Sequence, residues 1–135
     1  MASYADEAIM AHALKQSAFT TIVSTRFYHI RAPQNAVRPY GVLNIVDPSN
    51  AVEEFKQSRM GQPLMQATFV SDDSKTPCDA FLAAHAFMDI FANLTGTIES
   101  VVFKYFELRG PREMPSGEPG ENVCIVEIVP HYVEP

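Results

Sequence analysis

Apolar residues near the N-terminus recur at helical spacing, with Ile9, Met10, Ala13 and Leu14 on one side of a 3.6-residue repeat. This predicts a helix over residues 4–17, capped by the Ser3 hydroxyl, with Asp6 and Glu7 at its positive end. Phe19, Ile22 and Val23 carry apolar content into a short connection. Residues 26–30 read as a short strand, which Ala32-Pro33-Gln34-Asn35 breaks. Residues 39–46 read as a second strand, with Pro39 at its first position, where a missing N–H is tolerated. Asp47-Pro48-Ser49-Asn50 is a turn signal. Residues 48–62 are polar apart from Val52, Phe55 and Met60, which predicts a long exposed excursion. Residues 64–71 form a third strand.

Thr76-Pro77-Cys78-Asp79 is the strongest local signal. Thr caps, Pro fits the first helical position, and Asp completes a pattern like a capping box. The helix that follows runs to Leu94 and is stopped by Gly96. Its apolar set, which includes Phe81, Leu82, Phe87, Met88, Ile90 and Phe91, covers more than one stripe. Such a helix is either deep in its own core or covered on a second side by another subunit. Residues 97–108 and 122–129 read as strands that flank the Pro/Gly-rich segment 110–121, so they pair as a long antiparallel hairpin. Pro130 cannot donate to a ladder, which places the end of the last strand at an edge and leaves residues 131–135 as a free tail. The sum is one α+β domain over residues 1–135: an antiparallel sheet of four to five strands with two helices packed on one face.

Composition changes this picture little. The 135 residues are 47% hydrophobic and 19% charged, which is ordinary for a globular domain. The net charge of −6 argues against a nucleic-acid clamp, which draws its affinity from dense Lys and Arg. No apolar run approaches the roughly 18 residues that cross a bilayer. The acidic MASYADEAIM lacks the basic start of a signal peptide, and with two isolated cysteines it predicts a reduced, cytoplasmic protein before assembly.

Candidate chemistry is sparse. His85 and Asp89 stand four apart on the second helix and are read as a surface pair rather than a base and its orienter. Cys78 lies at a helix N-terminus, where the dipole can lower a thiol pKa, but no His is near it in sequence, so it reads as structural. Glu53-Glu54 and Asp72-Asp73 are solvated acids. No histidine spacing matches a metal motif, and no Gly-rich loop cradles phosphate. The sequence therefore assigns no catalytic residue, no cofactor and no metal ligand.

Thr25-Arg26-Phe27-Tyr28, then Ala32-Pro33-Gln34, then Arg38-Pro39-Tyr40-Gly41-Val42 resembles a pattern in the phage tail-completion or tail-terminator family. There a helix, a short strand, an "AP" break and a "PY" start of the next strand precede a strand, a capped helix and a closing strand pair. That order covers nearly the whole chain. The longer excursion at 48–62 and the lack of a clear Gly-rich turn before the third strand depart from it. The resemblance implies a non-enzymatic virion part, a hexameric ring at the head-proximal end of a long tail. Such a ring would be assembled in the host cytoplasm. Its implied partners are further copies of itself, the tail tube protein, a neck, connector or head-completion protein and, as a further candidate, the tail sheath. DNA would pass through an acidic lumen without specific binding, and no membrane is involved. The two variable segments supply candidate contact residues: Glu53, Glu54, Phe55, Lys56 and Arg59 from the first, Arg112, Glu113 and Met114 from the second, with His131 and Tyr132 from the tail. The competing readings are a small intracellular enzyme using Cys78 or the His85/Asp89 pair, which needs a pocket uniting those groups, and a monomeric or dimeric binding module with one apolar groove.

Overall fold

The computed structural model describes residues 5–47, 60–61, 64–72, 77–98, 101–114 and 120–133. Among these residues stand three helices and seven strands: α1 (Ala5–Ala13), α2 (Ser17–Val23), β1 (Phe27–His29), β2 (Tyr40–Asp47), β3 (Met60–Gly61), β4 (Leu64–Ser71), α3 (Asp79–Phe91), β5 (Gly96–Ile98), β6 (Val101–Met114) and β7 (Asn122–Val133). One sheet holds all the strands in the order β1-β2-β4-β7-β6-β5, with β3 paired to β7 off this path. The α+β class stands, but the sheet has more strands than the four to five expected, and there is a third helix.

The extra helix arises because the N-terminal repeat is interrupted. Gln16 adopts an extended conformation (φ −96°, ψ 117°), so the predicted helix over 4–17 ends early and the apolar Phe19, Ile22 and Val23 form α2 instead of a connection. Ser24, at φ 57°, closes α2 by donating its N–H to the Thr20 carbonyl. The chain then enters β1, which pairs in parallel with β2, Phe27 opposite Gly41 and His29 opposite Leu43. The remaining strand pairs are antiparallel.

Side-chain alternation puts Leu43, Met65, Ala67, Phe69, Cys124, Val126 and Ile128 on the face covered by the helices. Val42, Val70 and Ile125 are buried on the opposite face. The core is aromatic. Phe19, Phe27, Phe69, Phe87, Phe91, Phe106, Phe103 and Tyr132 follow one another with adjacent ring centroids between 4.8 and 6.0 Å. Edge-on and offset contacts of this kind add about 0.5–1.5 kcal/mol per pair beyond area burial. In α3 the alanines Ala80, Ala83 and Ala84 let the helix approach the sheet, with Phe87 and Phe91 as its large buried groups. Phe81, Met88 and Ile90 are only partly buried, so the buried stripe is narrower than the apolar pattern indicated.

Several predicted boundaries move. The N-cap of α3 is Cys78 and makes no side-chain cap bond. The cap comes from a distance, since Ala80 N–H donates to Ser71 Oγ at 3.1 Å. Thr76, the predicted cap, lies outside the described residues. The loop predicted at 110–121 is strand as far as Met114, because Gly110 (φ +114°) and Pro111 sit within β6 at a bulge between Arg109 and Arg112. The excursion predicted at 48–62 ends in β3, and residues 48–59 lie outside the described set. Pro130 is within the last strand and not past its end. It lies in β7, flanked by β4 and β6 in the order of strands, and is paired with Phe106 beside a second bulge between Phe103 and Tyr105. The β4 register ends at Ile128 and the β3 register begins at Tyr132, so among the described residues no strand pair on that side calls for an N–H from Pro130. The expected free tail is likewise strand through Val133.

Candidate functional site

The sheet ends at β1 on one side and β5 on the other, and the two ends differ. At the β1 end, Asp6 from α1 is buried, and its carboxylate meets His29 Nε2 of β1 at 2.5 Å. This pair ties the first helix to the edge strand. Beside it Ile30, Ile45 and Val46 line one cleft together with Asn44. Ile30 and Val46 are 60% and 52% exposed. Val37, in the link between β1 and β2, is exposed too. Ile30 also has φ 73°, a left-handed conformation that is costly for a β-branched residue. A large apolar side chain held both strained and in water gains nothing for the isolated protomer.

At the other end, β5 pairs with β6 only over Val101–Phe103. Among the described residues, the outer edge of β6 from Lys104 to Met114 therefore has no strand partner. The N–H and C=O groups on the side away from β7 have no strand partner among the described residues and can pair with another chain. Tyr105 stands exposed on this stretch and stacks on His131 at 4.1 Å, while His131 Nε2 meets Glu107 Oε1 at 2.6 Å. Met114 is the second exposed large apolar side chain here.

The predicted contact residues are distributed unevenly. Arg112, Glu113 and Met114 are exposed on the open part of β6. His131 is held by Glu107 and Tyr105, and Tyr132 is buried against Phe103, so neither belongs to a free tail. Glu53, Glu54, Phe55, Lys56 and Arg59 lie outside the described residues. Sequence reasoning missed Ile30, Val37, Ile45 and Val46. Their one signal was large apolar residues beside breaks, at Ala32-Pro33 and Asp47-Pro48.

The groups weighed for catalysis are not brought together. His85 is exposed and packs edge-on against Phe81 at 4.5 Å, and Asp89 is exposed. Cys78 is buried, and its ionisable neighbours are Cys124 and Glu113. Burial, with smaller contributions from Cys78 and Glu113, pushes the Cys124 thiol up to about 12. A thiol so placed is a poor nucleophile.

No protein-family profile and no curated protein matches this chain. A solved structure does: a chain from the virion of a native gene transfer agent particle matches with a TM-score of 0.73 at 14% identity, over 98% of this chain and 96% of that one. The two chains share a fold. The likeness runs nearly end to end in both, so α1, the sheet and the β6–β7 hairpin belong to one common architecture.

Proposed function

We propose that this protein is a structural part of a phage-like virion, one that closes a ring at the head-proximal end of the tail, ends the tail tube and joins it to the neck. The observation that carries the virion reading is the fold it shares, nearly end to end, with a chain of a virion particle. The ring draws on the asymmetry of the sheet. A cyclic assembly repeats one contact between two different surfaces until it closes. Here one sheet end offers exposed apolar side chains at Ile30, Val37 and Val46, and the other offers an open strand edge with Tyr105 and Met114. The contact pairs the first end of one copy with the second end of the next, and Arg112 and Glu113 lie at its rim. The tube protein and a neck or connector protein are the partners above and below, and DNA passes through the centre unbound. The role requires no catalytic group.

Assembly of tails with and without this chain tests the proposal. Its omission is expected to give tubes of uncontrolled length that do not join heads. Tails of normal, uniform length that join heads in its absence would overturn it. Native mass spectrometry with the tube protein should show a closed multiple of this chain, lost in Val46→Asp.

A further inference from the structure

Cys78, Cys124 and Glu113 come from three elements, and their ligating atoms all lie within 4.8 Å of one another. Cys78 is the N-cap of α3, Cys124 lies in β7 on the helix-covered face, and Glu113 lies opposite Cys124 on β6. The bulge in β6 brings Glu113 there. Arg109 pairs with Glu127 and Arg112 with Ile125, so one extra residue sits on β6 between them. The insertion reverses which face the following residues take. Without it Glu113 would face away from Cys124.

We propose that these three side chains form a binding site for one soft divalent cation of the zinc class. Two thiolates select zinc over magnesium or calcium, and a carboxylate completes three protein ligands, leaving a fourth position open. Tetrahedral zinc with Zn–S near 2.3 Å separates its sulfurs by about 3.8 Å, inside the 4.8 Å within which these ligating atoms lie. The helix N-terminus favours the negative charge that Cys78 acquires. Both thiols are buried and Glu113 is exposed, so a cation enters from the Glu113 side. Binding displaces the thiol protons, so affinity rises with pH. The site would pin the far half of the hairpin to the start of α3, independently of any ring.

Cobalt(II) and zinc(II) added to the full chain under a non-thiol reductant test this. One equivalent of cobalt is expected to give sulfur-to-cobalt charge-transfer absorption that zinc abolishes, and zinc is expected to raise Tm. Glu113→Gln, on an exposed side chain that leaves the core intact, should weaken zinc binding by roughly 10-fold or more, since even outer-shell partners are worth 10–100-fold. Cys78→Ser should abolish the charge-transfer band. Three results overturn the site: no charge-transfer band in the folded wild type, an unchanged affinity in Glu113→Gln, or an intact mass showing the two thiols joined as a disulfide that excludes metal.

Discussion

Gly41 of β2 faces the Phe69 ring so closely that a Cβ there would stand 2.6 Å from Phe69 Cε1 and 2.9 Å from Phe27 Cδ1. The glycine on β2 leaves room for its partners on either side, Phe27 of β1 and Phe69 of β4, to stack across it. Both rings are buried, so neither can swing away. Gly41→Ala is expected to cost about 1–3 kcal/mol, the usual range for an overpacked core. Urea unfolding would show the midpoint fall with little change in slope.

Phe87 touches Phe19, Phe27, Phe69 and Phe91, so it joins both ends of the aromatic core. Phe87→Ala is expected to cost about 3–5 kcal/mol, a large share of a small domain's stability. Phe81→Ala, on the half-buried flank of the same helix, should cost clearly less. The comparison of the two melting curves checks the burial pattern of α3.

Ile30→Asn separates protomer stability from assembly. Asparagine tolerates the left-handed conformation, and little apolar burial is lost at this exposed position. The monomer should gain about 1 kcal/mol, at the low end of the strain such residues store. Ring formation should weaken in the same variant. A monomer that is destabilised, or assembly that is unaffected, would contradict the role given to Ile30.

The Cys124 thiol sets a pH dependence. Its pKa in the folded chain is raised from 9.0 to about 12 by burial, with Cys78 and Glu113 adding to the effect. Above pH 9.0 the unfolded chain loses this proton while the folded chain keeps it. The contribution to stability is therefore full below pH 9.0 and declines as pH rises toward 12. Cys124→Ala removes that part of the decline. Metal-free urea titrations of both proteins on either side of pH 9.0 measure the difference.

Gly110→Ala tests the bulge. A Cβ at Gly110 would stand 2.8 Å from the Ile125 carbonyl oxygen, and φ is +114°. The strand is expected either to lose about 1–3 kcal/mol or to slip its register. Backbone chemical shifts over Arg112, Glu113 and Met114 distinguish the two.

Much of the fold was legible in the sequence because residues 39–46, 64–71 and 122–129 are short, β-branched or aromatic-containing apolar runs bounded by turn residues. The failures have local causes. A single extended residue, Gln16, divides a helix that periodicity joins. Pro130 was read as a strand end because sequence does not reveal that β7 runs on past it to pair with β3 and β6. Parallel pairing of β1 follows from the path of residues 30–39, which carries no periodic signal. The candidate surface was the least legible. Ile30 and Val46 look like ordinary core residues beside turns, and only the structure shows them in water. Cys78 and Cys124 are too far apart in sequence for spacing to suggest that they meet.

Ser71 Oγ accepts from Ala80 N–H and from Asn122 Nδ2, so one hydroxyl holds the end of β4, the first turn of α3 and the start of β7. Displacing Ser71 strips a partner from both of the others, which couples opening of the end of β4 to the first turn of α3 and the start of β7. Amide hydrogens at Ala80 and Val123 should therefore exchange at a common rate, as one latch, whereas a helix capped by its own adjacent threonine would have frayed alone.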